Sequence, residues 1–377
     1  LLPDTRTVAR RHRSLLPDTR TVARRHRSLL PDTRTVAGRH RSLGPHGIDA
    51  DVPIDRLGIM MRFLHVVLVA LLPTLVAAAP AAKKPAKPAV KAAAYDSAVP
   101  KPTHSLVRYG KHERHVLDFW QAASKKPTPL VFVIHGGGWQ GGTKERVQRF
   151  ADVQELLDHG ISVAAINYRL IKHAIADGVQ PPVKAPLHDA ARALQFVRSK
   201  AGEWNLDKER IGAAGGSAGA CSSLWIAFHD DLAEPKSEDP VSRESTRLWC
   251  AAVTGAQTTL DPKQMKEWTP NSRYGGHAFG LRNFAEFLEK RDTIKEWIAE
   301  YSPYALVDAG DPPVYLKYSG PPALGKPQKD PTHTSNFGLK LQEHCKANGV
   351  ACELAYPGAP NMKHASPTAF LIATLKK

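Results

Sequence analysis

From about residue 95 onward the sequence predicts an α/β fold, a mostly parallel central sheet with helices on both faces. Two observations carry this expectation. Short apolar runs rich in β-branched and aromatic residues alternate with helical stretches of 10–15 residues, the signature of βαβ units. Three segments of chemical interest each follow directly on one of those runs, as ligand-binding loops do at the carboxyl ends of parallel strands.

The 377-residue chain begins differently. Leu1–Ser14 (LLPDTRTVARRHRS) recurs identically as Leu15–Ser28, and again as Leu29–Ser42 with Gly38 in place of one Arg. A unit this short, with a Pro in every copy and few large apolar residues, builds no stacked core. Residues 1–59 read either as translated upstream sequence or as a basic disordered arm. Residues 60–79 (MMRFLHVVLVALLPTLVAAA) have the cationic start, apolar run and small-residue end of a secretory signal, with an uncleaved anchor as the alternative. Residues 80–94 form a Pro/Ala/Lys linker. The expectation is an exported protein, periplasmic or secreted, with no stable membrane association once the signal is cut and a catalytic domain over 95–377.

Within that domain SLVRYG and HVLDFW read as an opening hairpin. PLVFVIHGG is a strand, Thr143 to His159 a helix, ISVAAINYR a strand, and about Leu187 to Lys200 a helix. RIGAAGG (strand) leads into a helix from Ala218 to His229. LWCAAVTGA, PPVYLKYSG and VACELAYPG are further strands, with helical spacing at Phe337, Leu341 and Cys345 between the last two. Thr258–Tyr301, rich in aromatics, reads as a helical insertion, either covering a pocket or packing as an ordinary amphipathic segment.

The net charge of +16 invites a nucleic-acid reading, but its location argues otherwise. Residues 1–59 carry +6 and residues 60–94 carry +5, leaving +5 for the domain, with no basic stripe to track phosphates. The four cysteines (Cys221, Cys250, Cys345 and Cys352) have no metal-ligand spacing. Cys345 and Cys352 either pair or stay as small buried thiols.

Gly215-Gly216-Ser217-Ala218-Gly219 follows a strand and opens a helix. A sharp turn there lifts the Ser217 hydroxyl to the sheet edge, the arrangement of a nucleophile elbow. Upstream, His135-Gly136-Gly137-Gly138-Trp139 also follows a strand. The N–H groups of Gly136 and Gly137, with that of Ala218, suit a developing oxyanion. His135 reads as a residue that orients this loop, and Trp139 as a pocket wall or a core residue. No phosphate-loop pattern is present. A base and its orienting acid are expected later, acid first. His364, after the last strand, is the expected base. Asp330, beyond the strand Val314–Ser319, is the expected acid, because Asp308 and Asp311 precede that strand.

These motifs resemble the bacterial carboxylesterases of the α/β-hydrolase superfamily, nearest to the acetylxylan/feruloyl esterase-like and hormone-sensitive-lipase-like groups. The resemblance spans roughly Leu106 to Leu375. It implies an α/β-hydrolase fold with a short helical insertion over the site, oxyanion donors at Gly136, Gly137 and Ala218, the nucleophile at Ser217, and Asp330 and His364 from the last two strand–loop units. It also implies ester cleavage without cofactor or metal, on a small-molecule or carbohydrate-linked ester. The family pattern has its acid about three residues after the glycine ending the penultimate strand, so Pro321–Lys329 carries a short insertion. Two other functions share these residues: a peptidase or amidase of the same fold, and a non-catalytic binding protein.

Overall fold

The computed structural model describes residues 94–377. The repeat over 1–59, the signal over 60–79 and the linker up to residue 93 lie outside the described residues. The elements in chain order are β1 (His104–Arg108), β2 (Val116–Trp120), β3 (Thr128–Ile134), α1 (Val153–Asp158), β4 (Ser162–Ile166), α2 (Ile171–Ala176), α3 (Lys184–Ser199), β5 (Leu206–Gly216) and α4 (Ala218–Phe228). They continue with β6 (Cys250–Thr254), α5 (Pro262–Trp268), α6 (Phe284–Glu289), α7 (Lys295–Tyr301), α8 (Pro303–Leu306), β7 (Val314–Lys317), α9 (Ser335–Ala347), β8 (Cys352–Ala355) and α10 (Pro367–Leu375).

The sheet has eight strands in the order β1-β2-β4-β3-β5-β6-β7-β8. β1 pairs antiparallel with β2, and β2 with β4; every later neighbour pair is parallel. The hairpin and the mostly parallel sheet are as the sequence predicts. Successive side chains of a strand point to opposite faces, so an all-apolar strand feeds two cores at once. In β3, Leu130, Phe132 and Ile134 join the core under α3, α4 and α9, while Val131 and Val133 join the one under α1 and α10. Each such side chain contributes about 1.5–3 kcal/mol by leaving water.

α4 is buried along its whole length, which suits a sequence with no charged residue and apolar side chains all round. Its two mid-helix serines are satisfied within the helix: Ser222 and Ser223 donate to Ala218 O (2.9 Å) and Gly219 O (2.8 Å). One predicted element changes. The helix expected over Thr143–His159 is a 3-10 turn (Lys144–Arg149) followed by α1. The break falls at Phe150–Asp152, where the Asp152 side chain accepts from Glu155 N and starts a new helix. The four cysteines are free thiols. No helix of the described residues is long and apolar enough to cross a membrane.

Candidate active site

The site lies beyond the carboxyl ends of β3, β5, β6 and β7. Ser217 immediately follows β5 and has φ +53° and ψ −123°, a conformation that costs a side-chain-bearing residue about 1–3 kcal/mol. The turn holds because its backbone is clamped: Ser217 N–H donates to Thr254 O at the end of β6 (3.0 Å), and Ser217 O accepts from Cys221 N–H (2.9 Å). A Cβ on Gly219 would run into the backbone oxygen of Ile134, so the last glycine of the motif is required by close packing of α4 on β3.

The loop after β3 packs against this elbow. A Cβ on Gly136 would lie 2.5 Å from Gly216 O and 3.3 Å from the Ser217 Cβ, which places the Gly136 backbone beside the nucleophile. Ala218 opens α4, so its N–H is among the donors a helix leaves unused at its start. His135 is buried and stacks on Tyr168 at 4.3 Å. Its Nδ1 faces Gly136 O (2.8 Å), and its Nε2 lies 3.4 Å from the Arg114 guanidinium. Burial pushes its pKa down to about 3, against the raising effect of the Gly136 bond, so it is a neutral brace for the loop. From the other side His277 Nε2 faces Gly138 O at 3.0 Å, and burial holds that imidazole below its usual pKa as well.

His135 gives a measurable consequence. Unfolded, it binds a proton below about pH 6.5; folded, it does so only near 3, so the unfolded state holds more protons between those values. Stability therefore falls as pH drops through that window, by up to about 5 kcal/mol from this group. His135→Asn is expected to flatten the slope of unfolding free energy against pH between 6.5 and 4; a slope equal to the parent's would contradict this assignment.

The partner of Ser217 differs from the one expected. His333 Nε2 lies 2.9 Å from Ser217 Oγ, and its Nδ1 lies 2.8 Å from Asp330 Oδ2. The expected acid is thus joined to the expected nucleophile, but through a histidine three residues along the same turn. The Asp330 Oδ1 accepts from the N–H groups of Thr332 (3.1 Å) and His333 (3.2 Å). Burial opposes its charge, yet His333 and these amides outweigh that and hold the carboxyl below its ordinary pKa.

His364, expected as the base, is engaged elsewhere. Its Nδ1 lies 2.7 Å from Glu353 Oε2, while Glu353 Oε1 accepts from the N–H groups of Lys363 and His364, each at 2.8 Å. A carboxylate on β8 therefore captures this loop and holds the imidazole at its own strand. Trp139 is also corrected as a pocket wall. It is fully buried, its indole N–H donates to Ser222 Oγ (3.0 Å), and its ring packs near Tyr274 (6.3 Å) and His277 (6.1 Å), so it is a core residue. Within the helical insertion Trp268, Phe279 and Phe287 are buried likewise. The Pro321–Lys329 segment docks on that insertion: Asn271 and Gln328 bond each other reciprocally (2.8 and 3.0 Å), and Gly325 N–H donates to Trp268 O (3.0 Å).

Among the described residues, His112, Glu113 and His173 bring three metal-type ligand atoms within 4.8 Å of one another. The Nδ1 atoms of both histidines accept backbone N–H groups, from Arg114 (3.1 Å) and Leu170 (3.0 Å). In the neutral ring that puts the proton on each Nε2, which leaves neither histidine a free lone pair for a cation.

A strained serine elbow beside a glycine-rich loop, on a parallel sheet with an antiparallel opening, coincides with a family match: the model BD-FAE covers residues 117–320, more than half of the chain. The chain belongs to the BD-FAE family. The matched region contains the glycine-rich loop and the elbow and stops before Asp330, His333 and His364. The BD-FAE chain is 34% identical to gut esterase 1 of Caenorhabditis briggsae over 150 residues, 38% of this chain and 25% of that protein. It is 32% identical to a probable isoprenylcysteine alpha-carbonyl methylesterase of Oryza sativa subsp. japonica over 133 residues, 35% of this chain and 30% of that protein. It therefore spans only 25% and 30% of these curated relatives. Among solved structures, a truncated carbohydrate esterase from gut microbiota superposes with a TM-score of 0.56 at 18% identity, over 76% of this chain and 100% of that one. This likeness shows the shared α/β-hydrolase fold.

Proposed function

We propose that this BD-FAE protein is a serine hydrolase of carboxylic esters that works through an acyl-enzyme on Ser217. The observation that carries the reading is the unbroken hydrogen-bond chain from Ser217 Oγ through His333 to Asp330 Oδ2. His333 Nε2 takes the hydroxyl proton as Ser217 Oγ attacks the ester carbonyl. Asp330, bonded to Nδ1, orients the ring and balances the imidazolium. The amides of Gly136, Gly137 and Ala218 receive the oxyanion, each such donor contributing about 3 kcal/mol of transition-state stabilisation. His333 then protonates the leaving alcohol, and water, activated by the same imidazole, releases the acid.

The finer reading is removal of acetyl or feruloyl groups from polysaccharide by an exported enzyme. Its support is the resemblance of the three motifs to that group of esterases and the signal-like layout of residues 60–79. The test is a substrate panel of acetylated xylan, feruloyl esters and p-nitrophenyl acyl esters of increasing length, run beside a fluorophosphonate probe. Hydrolysis of short acyl esters, with the probe's phosphonyl mass found on Ser217, is expected. A folded protein that takes no label and cleaves no ester would overturn the esterase reading. Activity on p-nitrophenyl esters but on neither carbohydrate substrate would overturn the finer one.

A further inference from the structure

We infer that Gln257 is a positioning residue for the base, setting the distance between His333 and Ser217 without touching either reacting atom. The inference rests on the esterase reading of the Ser217–His333–Asp330 chain. Asp330 and His333 occupy one exposed turn, with side-chain exposures of 60% and 39%, so burial does little to hold it. The Asp330 carboxylate stabilises the turn internally, through the Thr332 and His333 amides, and says nothing about where the turn sits relative to the sheet.

Gln257 supplies that link. It is fully buried just after β6, and its Nε2 donates to Thr332 O at 2.8 Å and to Gly255 O at 3.2 Å. Because both partners are carbonyls, the amide orientation is fixed. Among the described residues Gln257 Oε1 has no hydrogen-bond partner, so a buried acceptor is tolerated for the sake of the donor. The segment that carries Gln257 is itself rigid: Gly255 N–H donates to Lys317 O (2.8 Å), Tyr318 Oη donates to Ala256 O (2.9 Å), and Thr258 Oγ1 donates to Phe337 O (2.9 Å). Its first residue, Thr254, accepts the N–H of Ser217. One rigid stretch, Thr254–Thr258, thus grips the nucleophile at one end and the peptide preceding the base at the other. Gly255, at φ +60°, completes the seat, since a Cβ there would lie 3.3 Å from the His333 ring.

Losing the grip lets the His333 ring drift, and a misplacement of about 1 Å can cost roughly 100-fold in rate. Gln257→Met keeps the volume and removes the donor. We expect kcat on p-nitrophenyl acetate to fall about 10- to 100-fold, the fluorophosphonate labelling rate to fall in parallel, and KM to stay within about 3-fold. Wild-type kcat in Gln257→Met would overturn the inference. Gln257→Glu gives a second readout that does not depend on how well the Met variant folds. An ionised carboxylate faces two carbonyls with no proton to give, whereas the protonated acid can donate to Thr332 O. The ratio of Gln257→Glu to wild-type kcat should therefore rise as pH falls; a flat ratio would overturn the inference. If wild-type protein neither labels nor hydrolyses any ester, the esterase reading falls and this inference with it. An active wild type with an indifferent Gln257 removes the inference alone.

Discussion

His333→Ala is expected to lower kcat on p-nitrophenyl acetate by about 10,000-fold or more, while His364→Ala leaves it within a few-fold. Among the described residues, only His333 has a ring nitrogen within hydrogen-bond reach of Ser217 Oγ. Without it nothing accepts the hydroxyl proton, and residual catalysis comes from binding and the backbone amides. Its side chain is 39% exposed, so truncation should cost little stability, and loss of activity will not reflect unfolding. His364→Ala has the opposite profile. It leaves Glu353, whose side chain is only 13% exposed, without its imidazole and removes an edge contact with Phe370 at 5.2 Å, so the melting temperature should drop while turnover persists. Steady-state kinetics and thermal melts on the two variants decide the matter. If His364→Ala is inert and His333→Ala active, the base sits on the loop after β8 and not on the turn after β7.

Ser217→Ala should remove on the order of a millionfold of kcat together with all probe labelling. Ser217→Gly should be equally inactive and yet more stable than Ser217→Ala. At φ +53° any Cβ is strained, and glycine relieves that strain. Part of the gain is returned through the greater freedom of glycine in the unfolded chain, leaving about 1 kcal/mol, or roughly 2–4 °C in Tm. Calorimetry on the pair measures it. A glycine variant that melts below the alanine variant would mean that the elbow stores no strain.

The fold was legible because its causes are local and repetitive. Strands such as β3, buried on both faces, read as unbroken apolar runs. Gly136, Gly137, Gly215 and Gly219 mark close backbone approaches where a Cβ would collide with a carbonyl. Elements of about six residues are not legible: nothing in the sequence marks α2, and the stretch before β4 reads as one helix, because the restart at Asp152 is a single capping bond. Asp330 is legible from its place beyond β7. The histidine that faces Ser217 is not, because chain order favours the loop after β8, and only the folded turn brings a ring three residues after Asp330 to Ser217 Oγ. Asp-x-x-His was visible at 330–333, but its meaning depends on where Gln257 and Gly255 hold it. Trp139 stays open between pocket wall and core in the sequence for a related reason: proximity to the glycine-rich loop says nothing about which way a large ring turns, and the fold turns it into the core.

Because Asp330 and His333 belong to one four-residue turn, a problem of aligning three bodies becomes one of aligning two. Carboxylate and imidazole arrive already matched to each other by local backbone geometry, and only one placement, turn against elbow, has to be held to a fraction of an ångström. The loop after β8 takes no part in that placement, since its imidazole is held by Glu353 on its own strand.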